Sequence, residues 1–204
     1  MPRLREVGRG SSDNPIVDTM FDVVFGEGVD PLRESTSSGS NGDWWTVFAL
    51  VPDVLEHAVE GFVLYRSPTR VLDPVLRELA MTRVGWAAGS TFVYSQHCRS
   101  LTELGVDRAR IDAVASWPVS DLFDEIERGV LAYADGIAFD HGRVSDEVFA
   151  VLQRHLPDDA ILELTYLSAM YLQHAVVSRA LRLEWDDRAD PVRQIEPPEP
   201  TGAV

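Results

Sequence analysis

Residues 77–105 read RELAMTRVGWAAGSTFVYSQHCRSLTELG, two helix-patterned segments joined by a short break that contains glycine. A break of that kind folds two helices back into an antiparallel hairpin. Glu78 lies about ten residues before the break and His97 about eight after it, so at ~1.5 Å of rise per residue the two stand within roughly 3 Å of the same height. The stretch therefore predicts a helical hairpin that brings an acid and a base face to face.

The rest of the chain is also helix-patterned, and no stretch has the period-two alternation of a half-buried strand. Asp73-Pro74 supplies a capping side chain followed by a proline at the first helical position, and either Ser90 or Thr91 caps the next helix. Pro52 either divides or kinks the stretch in which it lies. Helices are predicted over 15–25, 44–65, 74–88, 90–104, 107–115, 121–139, 145–155 and 157–185. The fold class is therefore predicted to be all-α.

The length of 204 residues suits one domain with loose ends. Residues 1–42 are expected to hold one short helix and flexible polar segments such as RESTSSGSNG at 33–42. The helical domain is predicted over 43–185, and the acidic, proline-rich segment 186–204 is predicted to be a disordered tail. The last helix, 157–185, is apolar on most of its circumference, which is typical of a bundle centre or a subunit interface. A homo-oligomer is therefore expected.

The composition excludes several classes of partner. A net charge of −15 without an offsetting basic stripe excludes binding to a nucleic-acid backbone. No uncharged apolar run of about 18 residues occurs, and the polar N-terminus has no apolar signal core, so no membrane partner is expected and the cytoplasm is the predicted location. With nucleic acids and membranes excluded, a small-molecule substrate is the expected partner.

Resident metals and cofactors are not expected either. The single cysteine, Cys98, excludes an internal disulfide and C-x-x-C chemistry. The five histidines show no i,i+4 ligand spacing, so no metal site is predicted. Glycine-rich phosphate loops with a strand before them and a lysine after them are absent from the sequence as well.

His97 lies on an apolar stripe of its helix, with Val93 four residues before it and Leu101 four residues after it. That position suits a core histidine satisfied by one hydrogen bond. Glu78 borders the buried face of its own helix, where a carboxylate needs a donor. Paired with His97, it would hold one tautomer of the imidazole and raise its basicity, which makes a general base near neutral pH. A structural and a catalytic interpretation of the pair are both open at this point.

Further polar side chains are candidates for substrate binding. Ser90, Tyr94 and Arg83 could hold an anionic group beside the pair. His174 could serve as a second acid if it lines the same cavity. It falls on the apolar stripe of the last helix, so a structural role is the more common outcome for such a residue.

The hairpin resembles the carboxymuconolactone decarboxylase / alkylhydroperoxidase D (AhpD-like) family. The family pattern reads R-E-L, then a helix and Gly, then C-x-x-C-x-x-x-H or, in a cysteine-free branch, Y-E-W-x-Q-H. Arg77-Glu78-Leu79 matches the opening of that pattern and Gln96-His97 matches its close. The similarity extends from about residue 45 to residue 185. The resemblance implies an AhpD-like helical bundle that is usually oligomeric.

The departures from the family pattern narrow the expected function. The two peroxidase cysteines would fall at Ser90 and Val93, so peroxide reduction by a C-x-x-C pair is not expected. Val93 also stands where the cysteine-free branch carries a carboxylate. What the resemblance then implies is a cofactor-free lyase or isomerase in which Glu78 and His97 form a proton relay on a small carboxylated or cyclic substrate.

Two alternatives accompany that expectation. One is a non-catalytic binding or scaffold member of the family, in which Glu78 and His97 merely satisfy each other. The weaker one is a single-thiol peroxidase that uses Cys98. This thiol points about 100° away from His97 around the helix, so it is expected to be a small buried hydrophobe instead.

Overall fold

The structure, a computed structural model, describes residues 1–37, 39–186, 188 and 195. The regular elements of this described part are helices, with no strand among them, which confirms the all-α prediction. Their bounds are α1 (Pro15–Phe25), α2 (Gly42–Phe48), α3 (Pro52–Arg66), α4 (Pro74–Ala87), α5 (Thr91–Glu103), α6 (Arg108–Ala113), a 3₁₀ helix (Val114–Val119), α7 (Glu125–Ala138), α8 (Asp146–His155) and α9 (Asp158–Leu181).

The two helices of the hairpin begin at the predicted caps. The Asp73 carboxylate accepts hydrogen bonds from the backbone N–H groups of Val75 and Leu76, at 2.8 and 3.1 Å, ahead of the proline that opens α4. Ser90 is the residue that caps α5, because its hydroxyl accepts the N–H of Val93 at 3.3 Å. Both caps satisfy donors that the first turn of a helix cannot satisfy by itself.

Pro52 divides the stretch it lies in, which is one of the two predicted outcomes, since α2 ends at Phe48 and α3 begins at Pro52 itself. Two other boundaries differ from the prediction. α7 begins at Glu125, four residues later than predicted, because Asp124 and Glu127 cap its start reciprocally. α9 ends four residues early, at Leu181, because Arg182 adopts a left-handed conformation with φ of 57°.

The chain divides into two compact units. Unit 1 comprises Met1–Ser67 with the described residues from Val177 to Arg188, and unit 2 comprises Pro68–Val176 with Ile195. The core of unit 1 is built mainly from α1, α2 and α3 and includes Val17, Phe21, Val24, Trp44, Val47, Leu55 and Leu183. The core of unit 2 is built from α4 to α7 and includes Leu79, Tyr94, Cys98, Leu101, Ile111, Val114 and Leu131. In unit 2, α4 packs along both α5 and α7.

Some residues of the segments predicted to be flexible are buried in unit 1. Val7 is buried, and its N–H donates to the carbonyl of Thr46 at 3.1 Å. The Arg188 guanidinium forms ion pairs with Asp43 and, at 2.9 Å, with Glu6. The rest of the predicted tail at 186–204 lies outside the described residues, apart from 186 and 195.

The long helix α9 leaves part of its apolar surface exposed. Leu162 and Tyr166, one turn apart, are 68% and 52% exposed. The homo-oligomer stays a prediction. It was expected because this helix is apolar on most of its circumference. In the part of the chain that the structure describes, no helix is both long and apolar enough to cross a bilayer.

Candidate active site

The hairpin of α4 and α5 depends on two glycines. Gly89, in the turn, has φ of 63°, a left-handed conformation that glycine adopts without strain. Gly85 lies on α4 where α5 approaches most closely, and a Cβ there would lie 2.6 Å from the backbone nitrogen of Tyr94. Only a residue without a side chain allows the two helices this separation, which sets the distance between the acid on α4 and the base on α5.

Glu78 and His97 are in direct contact in the core of unit 2. Oε2 of Glu78 lies 2.7 Å from Nδ1 of His97, and the two side chains are 0% and 3% exposed. A carboxylate can only accept, so Nδ1 donates and the proton of the neutral imidazole stays on that nitrogen. Nε2 is then the basic nitrogen of the ring. The arrangement is that of an oriented general base.

Arg77 binds the other oxygen of the same carboxylate. Its Nε lies 3.1 Å from Oε1 of Glu78, and the Arg77 side chain is 16% exposed. Neighbouring residues on a helix point about 100° apart, so their spacing does not predict this contact. The ion pair places a positive charge on the side of the Glu78 carboxylate away from His97.

Two side chains of α9 lie beside the pair. The ring of Tyr171 meets the imidazole of His97 edge to face, with 4.3 Å between ring centroids. The centroid of the His174 ring lies 5.8 Å from the centroid of the Tyr171 ring. Burial, and secondly the charge of His97, lower the pKa of His174 to about 4. The predicted second acid is therefore a neutral imidazole near pH 7, which can donate or accept a hydrogen bond but carries no charge.

Arg83 does not face His97. Its guanidinium binds both carboxylate oxygens of Asp135, at 2.5 and 3.0 Å, and the carbonyls of Val114 and Ala115, at 3.1 and 2.8 Å. It also lies 4.2 Å from the centre of the Trp86 ring. These contacts occupy the guanidinium inside unit 2, so Arg83 joins α4 to α7.

The two other predicted binding residues have local roles. Ser90 is buried and caps α5. Tyr94 belongs, with Cys98, to the apolar core of unit 2. Burial raises the pKa of Tyr94 well above its ordinary value, so this phenol stays protonated near neutral pH. The structure thus places Ser90 at the N-terminal cap of the helix that carries His97, and Tyr94 in the core of unit 2.

Cys98 is 1% exposed, and burial raises the pKa of its thiol to about 11. A thiolate is the reactive form of cysteine, and reactive thiols lie in environments that lower the pKa. Cys98 therefore has the character of a structural core residue, and the geometry gives the single-thiol peroxidase no support.

The buried hydroxyls of Thr82 and Ser168 have no hydrogen-bond partner among the described residues. Thr82 follows Glu78 by one turn on the same face of α4, and Ser168 precedes Tyr171 by three residues on α9. Both side chains are fully buried. Native proteins pair nearly all such groups, so unpaired ones are informative. The i+4 spacing of Thr82 from Glu78 in the sequence indicates that both side chains lie on the same face of α4.

No group of three or more histidine, cysteine, aspartate or glutamate residues is arranged to hold a metal ion within the described residues.

Comparisons with known proteins give a partial family match and the fold. The carboxymuconolactone decarboxylase family model matches residues 54–136. The uncharacterized protein YnjA of Escherichia coli K12 is 28% identical over 143 residues, which are 70% of this chain and 71% of YnjA.

Two solved structures have a similar fold. A cysteine-to-alanine variant of the debrominase Bmp8, in complex with 2,3,4-tribromopyrrole, has a TM-score of 0.65 and 18% identity, over 87% of this chain and 88% of that one. The alkylhydroperoxidase AhpD core of a peroxidase-related protein from Ralstonia eutropha JMP134 has a TM-score of 0.62 and 16% identity, over 71% of this chain and 76% of that one. Residues 54–136 of this chain thus match the carboxymuconolactone decarboxylase family model, its fold is AhpD-like, and its sequence lacks the C-x-x-C motif.

Proposed function

We propose that this protein is a cofactor-free lyase or isomerase that moves a proton at a carbon next to a carbonyl group of a small cyclic or carboxylated molecule. The observation that carries the proposal is the buried 2.7 Å contact between Glu78 and His97. A carboxylate that orients an imidazole inside a dry site is a common way to build a base that works near neutral pH.

In the isomerase form, Nε2 of His97 removes a proton from the carbon next to the carbonyl, and the electrons of the C–H bond move into an enolate. Glu78 stabilises the imidazolium that results, and Arg77 keeps Glu78 charged. The imidazolium then returns the proton to a different carbon. Substrate and product have the same atoms, and the enzyme ends in its starting protonation state.

In the lyase form, a substrate carboxylate leaves as carbon dioxide and its bonding electrons become the enolate. A protonated His97 then donates the proton that replaces the lost carboxylate, and solvent restores the proton on His97. Glu78 has the same role in both forms, because the positive charge on His97 is the state that needs stabilising.

The family match supports the decarboxylase class of chemistry, and the fold is one that holds a small ring in the debrominase Bmp8. The missing cysteines at positions 90 and 93 remove the disulfide chemistry from this chain. The pair Glu78 and His97 is the part of the family pattern that this chain retains.

The test is solvent deuterium exchange, followed by proton NMR on a panel of cyclohexanone, γ-butyrolactone and 2-oxocyclohexanecarboxylate. Wild-type protein is expected to accelerate exchange or carbon dioxide loss for at least one compound. His97→Gln should lose about a hundredfold or more of that rate, since general-base catalysis contributes on this scale. His155→Gln, which changes an exposed histidine, is the matched control and should keep the rate.

A non-catalytic binding or scaffold role is the second candidate. The near-complete burial of Glu78 and His97 favours it, because a buried pair that satisfies itself needs no substrate. It predicts no acceleration with any compound of the panel. A homo-oligomer and a cytoplasmic location complete the proposal, and sedimentation velocity tests the former.

A further inference from the structure

The outer face of α9 carries a stripe without charge. Within unit 2, the exposed residues of this helix after its first turn are Leu162, Tyr166, Ala169, Gln173 and Val176, and we call them the outer stripe. Leu162, Tyr166 and Val176 are 68%, 52% and 56% exposed. Because a quarter of the residues of the chain are charged, an exposed helix face of four turns without a charge is unusual.

The other side of α9 is already buried. Ala160, Leu164, Leu167 and Ala175 on that side are at most 1% exposed. A helix at a protein surface ordinarily presents one apolar face to the core and charged or polar residues to water. α9 instead has a second, mostly apolar face in addition to the buried one, and exposed apolar surface of this kind marks a place where another chain binds.

The spacing of the outer stripe suits packing against another helix. Its members follow one another at steps of four, three, four and three residues, which is the heptad spacing that keeps side chains in line along a helix. From Leu162 to Val176 the line is about 21 Å long, at ~1.5 Å of rise per residue. Because α9 is already a formed helix in each copy of the chain, pairing requires no new helix to form.

The outer stripe is arranged symmetrically about Ala169. Leu162 and Val176 lie seven residues before and after it, so two antiparallel copies of α9 that cross at Ala169 bring Leu162 of each copy to the height of Val176 of the other. The residue on a two-fold axis must meet its own counterpart. Alanine is small enough to let two helix axes approach to about 8 Å, the short end of the usual range. The outer stripe is therefore complementary to a second copy of itself.

Charge selects the antiparallel orientation. Asp158 and Asp159 lie in the first turn of α9, and Arg179 lies in its last turn. Antiparallel copies bring the acidic turn of each helix to the height of the basic turn of the other, and the two helix dipoles then oppose each other. Parallel copies would place the aspartates of both chains side by side. A net charge of −15 also resists self-association except through a surface without carboxylates, which the outer stripe supplies.

We propose that the outer stripe is the surface through which two copies of this chain associate, with α9 antiparallel to its counterpart and Ala169 on the two-fold axis. The inference rests on the homo-oligomer of the proposed function and goes beyond it by naming the interface and its orientation. No residue of the outer stripe belongs to the proton relay, so the interface and the chemistry can fail separately.

Sedimentation velocity of the full chain over about 1–100 µM is the first measurement. Wild type is expected to self-associate. Ala169→Glu should raise the dissociation constant by about a hundredfold or more, because two like charges would face each other across the axis. Ala109→Glu makes the same substitution at an exposed alanine of α6 and is the matched control, which should associate like wild type. Thermal unfolding of both variants shows that the fold is kept.

A second arm reads the orientation from disulfides. Cys98, the one cysteine of the chain, is buried, so an introduced surface thiol is the one that a mild oxidant reaches. Ala169→Cys is expected to cross-link two copies, whereas Ala109→Cys is the control that should not. Leu162→Cys should not cross-link with itself, because antiparallel copies hold its two positions about 21 Å apart, beyond the reach of a disulfide. Mixed with Val176→Cys, it should cross-link to that variant.

A wild-type protein that stays monomeric over this range would overturn the inference together with the proposed homo-oligomer, and the proton relay would still be decided by its own exchange test. The same result is expected if the outer stripe binds a different protein. Self-association that Ala169→Glu does not weaken would overturn the interface alone, since the copies would then meet elsewhere. Efficient cross-linking of Leu162→Cys with itself would contradict the antiparallel orientation.

Discussion

Nδ1 of His97 lies 2.7 Å from Oε2 of Glu78, and both side chains are withdrawn from solvent. Two residues 19 positions apart in sequence thus form one buried unit, with Arg77 on the far oxygen of the carboxylate. Removing either member leaves a buried polar group without its main partner. Such a unit either stabilises the fold or does chemistry.

His174 should titrate with a pKa of about 4, well below its ordinary value of 6.5. A histidine whose folded pKa is depressed binds its proton more readily when unfolded, so stability falls as pH decreases through the window from about 6.5 to about 4. The loss is on the order of 3 kcal/mol over that window. Histidine NMR gives the pKa, and urea unfolding of wild type against His174→Gln gives the stability. If the unfolding free energies of wild type and His174→Gln changed in parallel with pH, the lowered pKa of His174 would be contradicted.

Gly85→Ala should move α5 away from α4, because the new Cβ would meet the backbone of Tyr94. We expect a loss of about 1–3 kcal/mol in unfolding free energy and a fall in any His97-dependent exchange rate, since overpacking displaces the pair. The matched control is Gly129→Ala, whose Cβ would meet a side-chain methyl group of Val151 instead of backbone. The predicted order of stability is wild type, then Gly129→Ala, then Gly85→Ala, and a reversal of the two variants would be inconsistent with the close approach at Gly85.

Arg83→Met should destabilise the fold by about 3–5 kcal/mol, because it leaves the Asp135 carboxylate without its buried counterion. Adding Asp135→Leu should recover much of the loss, since both charges are then removed. Chemical denaturation of both variants measures the effect. If Arg83→Met folded with wild-type stability but lost activity, the original expectation of a substrate-binding role would return.

Asp43 in unit 1 should show the opposite pH dependence. Burial raises its pKa from 3.8 to about 6 despite the Arg188 ion pair, and Glu6 and Asp186 add to the increase. A raised pKa means that the folded state holds the proton more tightly. Stability relative to Asp43→Asn should therefore fall as pH rises from about 4 through about 6, and then stay level. Urea unfolding of the two proteins across this range is the measurement, and a flat difference would rule out the shift.

The parts of the structure that the sequence predicted are local ones. Asp73 and Ser90 mark helix starts through bonds to residues two or three positions away, so their roles can be recognised from spacing. The hairpin follows from the break at Gly89, and the heights of Glu78 and His97 follow from helix geometry.

The parts that could not be predicted depend on which helices pack together. Arg83 has its carboxylate partner 52 residues away on α7, and no local pattern selects Asp135. Tyr171 on α9 meets His97 by tertiary packing alone. The end of α9 before Arg182 could not be predicted from the sequence either, because arginine rarely adopts the left-handed conformation.

The most direct test of the proton relay is the tautomer of His97, read from the nitrogen-15 shifts of its ring at a pH where the ring is neutral. The Glu78 contact predicts a protonated Nδ1 and an unprotonated Nε2, with this preference reduced in Glu78→Gln. A proton on Nε2 in the wild-type protein would contradict a Glu78-oriented base, and the relay would have to be abandoned.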